Sequence, residues 1–170
     1  MRSRLTGGIL AAGTVALVVV GATPYTAAAG AQAKGAVVVT ATAEIDGKRY
    51  DYSGPGECYY TATGSIFDAP ATMWHAMFQA RGNPMGHASL AIWQVKQDRS
   101  IRLNLSVMIG NVSHDISTAQ SGAMKGTAVG GAEKGPAGGR LTAEGRTANG
   151  KVVKVTMSCS RFDAPEDNGD

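Results

Sequence analysis

Three groups of residues in this sequence have side chains capable of chemistry: Ser113-His114-Asp115, Met73-Trp74-His75-Ala76-Met77, and the pair Cys58 and Cys159. The first supplies a hydroxyl, an imidazole and a carboxylate. A triad needs those groups to converge, whereas neighbours on a strand point to opposite faces. The sequence also has no Gly-x-Ser-x-Gly elbow and no His-Glu-x-x-His helix. A hydrolase around His114 is therefore the lowest-ranked reading; no catalytic residue is assigned and the chain is not expected to be an enzyme. In the second group, Met73, His75 and Met77 share one face of a strand. Two thioethers and an imidazole are soft donors that suit Cu(I). Methionine is also an ordinary filler of core gaps. Packing with one tolerated histidine is thus the leading reading, Cu(I) binding through Met73, His75 and Met77 the alternative, and no cofactor is assigned.

The cysteines are read through the start of the chain. Arg2 and Arg4 precede an apolar stretch from Ile9 to Ala22, followed by an alanine-rich run ending Ala31-Gln32-Ala33. A basic start, a short apolar middle and a small-x-small end make a secretory signal peptide, with cleavage expected after Ala33 and Ala29 as second choice. The apolar stretch falls short of the ~20 residues of a membrane span, so membrane contact is expected only transiently, through this leader. A lipid anchor would need a cysteine at the cut, and the first cysteine is Cys58. The expected location is secreted, periplasmic or cell-envelope. In such a compartment two cysteines are expected to pair as a Cys58–Cys159 disulfide.

Of 16 lysines and arginines, two leave with the leader, so 14 basic residues remain against 13 acidic ones. That near-neutral balance argues against a nucleic-acid partner, which calls for a basic stripe. The chain divides into a signal peptide at 1–33, one β-domain at 34–162 and a disordered acidic tail at 163–170.

The elements that must position these residues read as strands. Ile101 to Ile109 alternates aliphatic with mostly polar residues, and Val153, Val155, Met157 and Cys159 share a face opposite Lys154, Thr156 and Ser158. Asp46-Gly47 fits a type I′ hairpin turn. It pairs Ile45 with Lys48, Ala43 with Tyr50 and Ala41 with Tyr52, and sets Glu44 against Arg49. Asn149-Gly150 marks another turn, which needs a three- or five-residue connection to keep Leu141, Ala143 and Gly145 on the face of Val153 and Val155. Further hairpins are expected at Asn83-Pro84 and Asp98-Arg99. The strands read as 36–45, 48–53, 58–63, 72–79, 87–95, 101–109, 112–118 with 124–131, and 139–147 with 151–159. Gly122 to Gly139 is expected as a poor edge hairpin or a long loop. About eight short strands separated by turns imply an all-β antiparallel sandwich or flattened barrel with one disulfide.

With a turn over 80–86, His87 falls opposite Gln79 and Trp93 opposite Met73. One face of the central strands then carries Trp74, Phe78, Leu90, Ile92, Leu103, Leu105 and Val107, a core. The other carries Met73, Met77, Ala91, Trp93, Val95 and Met108 among His75, Arg102 and Asn104. This second face is expected either to lie under a second sheet or to line a groove, and Met73, Met77, Trp93 and Met108 are its candidate ligand-binding residues. A slip of one residue would exchange the two faces.

Ile45-Asp46-Gly47-Lys48, Cys58 and the ending Val155-Thr156-Met157-Ser158-Cys159-Ser160 resemble the mycobacterial surface lipoprotein antigen family. The resemblance implies an exported, glycine-rich β-domain with Cys58 and Cys159 paired, and a non-enzymatic envelope role. The chain departs from that pattern by lacking the lipidated cysteine and by placing an extra residue between Thr156 and Cys159. The resulting expectation is an exported non-enzymatic envelope or secreted protein that binds an apolar small molecule or an envelope protein.

Overall fold

The structure, a computed structural model, describes residues 35–119, 127–135 and 137–165. The expected leader, 1–33, and the last part of the acidic tail lie outside the described residues. The described residues form one compact unit of nine strands: β1 (Val37–Ile45), β2 (Lys48–Ile66), β3 (Ala69–Gln79), β4 (Met85–Val95), β5 (Ile101–Ile109), β6 (Val112–Ser117), β7 (Thr127–Gly135), β8 (Gly138–Arg146) and β9 (Val152–Cys159). They make a single antiparallel sheet in the order β6-β5-β4-β3-β2-β1-β9-β8-β7. The sheet curls until β7 lies alongside β5 and β6, giving a nearly closed barrel.

The turn residues place the register where the alternation requires it. Asp46 and Gly47 both have positive φ (49° and 80°), the type I′ geometry, and Ile45–Lys48, Ala43–Tyr50, Ala41–Tyr52 and Glu44–Arg49 pair as expected. Arg49, though, forms its ion pair with Asp51 on its own strand (2.8 Å). β8 and β9 use the five-residue connection, which sets Gly145 against Val153 and Ala143 against Val155. The inward side chains form one core. Leu90, Ile92, Leu103, Leu105, Val107, Ile116, Leu141 and Met157 are fully buried, each aliphatic side chain contributing about 1.5–3 kcal/mol.

Two stretches differ from the sequence reading. The expected strands 48–53 and 58–63 are one strand, β2, which pairs with β1 up to Gly56 and with β3 from Glu57. Gly54-Pro55-Gly56 reads as a breaker but serves as a bend within the strand. At Gly56 a Cβ would lie 2.6 Å from both the Met77 carbonyl and a Val39 methyl, so only glycine lets β2 pass between its neighbours there. The glycine-rich region supplies β7, an edge strand paired along its length with β8, whereas β6 pairs with β5, so 112–118 and 124–131 do not form the expected pair; residues 120–126 and 136 lie outside the described residues.

Cys58 and Cys159 form the disulfide, with Cα atoms 6.2 Å apart and a separation of 101 positions in sequence. By the chain-entropy argument such a loop stabilises the fold by ~4.7 kcal/mol. The bond joins β2, just past the point where β1 ends, to the last residue of β9. β1 thereby leaves the β2 edge open from Cys58 onward, and the segment after β9 fills it. The Asp163 N–H donates to the Cys58 carbonyl (2.8 Å) and the Tyr60 N–H donates to the Asp163 carbonyl (3.0 Å). Asp163, expected to begin a frayed tail, is held by that pairing and by an ion pair with Arg161 (3.1 Å).

Candidate functional site

His114 and its neighbours separate as strand geometry demands. His114 points into the barrel opposite Val107 and is 6% exposed. Ser113 and Asp115 point outward, where the Ser113 hydroxyl donates to both oxygens of the Asp115 carboxylate (2.9 and 2.8 Å). The three side chains do not converge. Burial pushes the His114 imidazole below its ordinary value and Lys151 adds to this, against Asp46 and Asp115. Among the described residues no group of three or more His, Cys, Asp or Glu could hold a metal ion.

The second face of β3–β5 is the outer wall of the barrel. Its side chains stand in rows across the strands: Glu57-Met77-Ser89-Ser106, Tyr59-His75-Ala91-Asn104, Thr61-Met73-Trp93-Arg102 and Gln79-His87-Met108-Ser113. Trp93 is opposite Met73 and His87 opposite Gln79, as the register argument requires. Of the two alternatives, a covering sheet or a lined groove, the covering sheet is corrected. Among the described residues all nine strands belong to one sheet, so no second sheet of them packs on this wall. Met73, His75, Met77 and Trp93 are half-buried and Met108 is 41% exposed. A depression of about 380 Å³ between Pro55–Glu57 and Met77–Gln79 borders the wall and takes in Met77 alone of the four candidate residues.

A bulge between Thr61 and Gly64 lets β2 shift by one residue, so Gly64 meets Ala71 and Ile66 meets Ala69. Ala71 (fully buried) and Val95 (8% exposed) pair with each other and lie outside the main core cluster. They extend the Met73–Trp93 row toward the β2–β3 turn. At its tip Phe67 and Asp68 both have positive φ (48° and 63°), and Phe67 is 71% exposed. A bulky residue in the left-handed region is unusual, and strain of this kind gathers at functional sites. The sequence gives no sign of the turn, because neither position is glycine or asparagine.

His75 lies between Met73 and Met77 with its Nε2 3.0 Å from the Ser89 hydroxyl, and its ring stacks beside Tyr59 at 6.1 Å. Burial lowers its basicity, His87 adds to that effect and Glu57 opposes it. The imidazole is therefore neutral at neutral pH, the form that ligates soft metals.

Fold and surface together define a disulfide-locked antiparallel β-domain with an apolar patch on its outer wall. No family model matches this chain, and neither a curated protein nor a solved structure matches it.

Proposed function

We propose that the domain works outside the cytoplasm as a non-enzymatic binding protein, and that it docks a protein partner on the outer wall of β3–β5. The observation that carries this reading is the uncovered patch of Met73, Met77, Trp93 and Met108, with the exposed Phe67 at the β2–β3 turn beyond it. A protein partner fits better than an apolar small molecule. Small ligands are enclosed by concave pockets, and this wall curves away from whatever sits on it. Tryptophan, tyrosine, methionine and arginine are the residue types enriched at protein interfaces, and Trp93, Tyr59, Met73 and Arg102 lie in two adjacent rows. Export is supported by the leader pattern and by a disulfide of the type that persists in oxidising compartments. The likeness to surface lipoprotein antigens points to the cell envelope.

Methionine oxidation tests the reading, because exposed thioethers form sulfoxides and buried ones are shielded. Met73, Met77 and Met108 should oxidise readily in the purified protein and slowly in intact cells, while buried Met85 and Met157 stay unreacted in both. Equal oxidation of the three wall methionines in both settings would remove the basis for a docked partner.

A further inference from the structure

His75 on β3 and Ser89 on β4 lie 14 positions apart in sequence, yet the register brings the His75 Nε2 within 3.0 Å of the Ser89 hydroxyl. At that distance an imidazole can take the hydroxyl proton and leave a nucleophilic oxygen. Unlike Ser113 and His114, the two side chains meet because they share one face of adjacent strands. Both are half-buried on the outer wall, held by their neighbours yet reachable from solvent. Burial keeps the imidazole neutral; Glu57 opposes that by favouring its proton, and His87 sides with burial. Glu57 is itself held by the Tyr59 hydroxyl, which donates to its Oε2 (2.8 Å). A carboxylate near the ring stabilises the imidazolium that forms when the serine proton arrives.

We propose that Ser89 is an activated nucleophile that accepts an apolar acyl group from an activated ester or thioester. The bond from Oγ to the acyl carbon forms and the bond from that carbon to the leaving oxygen or sulfur breaks. The serine proton passes through His75 Nε2 to the leaving group. The preference for an apolar chain comes from Met77, directly opposite Ser89. Met77 also lines the depression of about 380 Å³ between Pro55–Glu57 and Met77–Gln79, so a chain on Ser89 crosses it into that hollow. β4 is paired on both sides, which commits the backbone N–H groups around Ser89 to the ladder and leaves none to hold an oxyanion. The donor must therefore be activated, and the ester persists once made: Ser89 is a site of modification, not of turnover. This holds for the free domain whether or not a partner docks on the same wall.

The test treats the purified chain, disulfide intact, with an alkyl fluorophosphonate and with the p-nitrophenyl ester of a fatty acid, read by intact mass and peptide mapping. Each reagent should add once, at Ser89. His75→Gln should slow the reaction about a hundredfold with an unchanged far-ultraviolet spectrum. Denaturing the wild-type chain should abolish it too, because the pair exists only in the fold; that comparison decides the matter if His75→Gln does not fold. An unlabelled wild-type chain, or label elsewhere with Ser89 bare, would overturn the assignment. So would equally fast labelling of Ser89 in folded His75→Gln or in the denatured chain.

Discussion

His114 and His75 are the two imidazoles that the fold holds neutral, one inside the barrel and one half-buried on its wall. In both, burial is the main cause of a pKa below the ordinary 6.5. In the unfolded chain the same groups take up protons as the pH drops below about 6.5. Between that value and the lowered folded value the unfolded state binds more protons, so stability rises with pH across that window and is flat above it. The melting temperature should fall as the pH is taken from about 7.5 to about 5, and a His75→Gln/His114→Gln variant should show a flatter profile. Asp51 and Asp98, lowered mainly by hydrogen bonds from Arg49 and Ser100 respectively, act in a separate and more acid window, below about pH 4. A profile as steep in the double variant as in the wild type would assign the slope to other groups.

At the scale of elements, whatever depends on two-residue alternation and on glycine-bearing turns is legible in the sequence. The Asp46-Gly47 register, the pairing of β3 with β4 and the inward face of β5 all follow from it. Departures from alternation are not legible in this way. β2 continues through Gly54-Pro55-Gly56 because neighbouring backbone is close enough to demand glycine, which one strand's own pattern does not reveal. The bulges at Thr61/Gly64 and Gly86 exist only relative to partner strands. The Phe67-Asp68 turn has the wrong residues for its geometry, and that makes it testable. Asn-Gly is the sequence a type I′ turn favours, and relieving the bulky Phe67 of its left-handed conformation (φ 48°) should stabilise the fold by about 1–2 kcal/mol. A Phe67→Asn/Asp68→Gly variant should melt higher and unfold at higher denaturant concentration. If that turn also belongs to the contact surface, the same variant loses its exposed aromatic ring and with it partner binding. A melting temperature unchanged or lowered would mean that Phe67 is not strained.

On the scale of the whole molecule, a single sheet closes almost on itself. The Cys58–Cys159 bond fastens β2 to β9 where β1 no longer lies between them, and Asp163 completes the edge. Closure leaves one apolar set of side chains inside and a second, smaller set outside. The alternation revealed both sets. Because barrel closure is a property of all nine strands, it did not reveal that the second set would be an open wall. On the reading proposed above, this wall is where the protein meets a protein partner. The most direct measurement is site-specific photo-crosslinking in intact source cells, with the photoreactive residue in place of Trp93 on the wall or of Thr42 on the outer face of β1. Position 93 should give a discrete protein adduct, lost when Met73→Lys is added, and position 42 none. No adduct from position 93, or the same adducts from both positions, would contradict it.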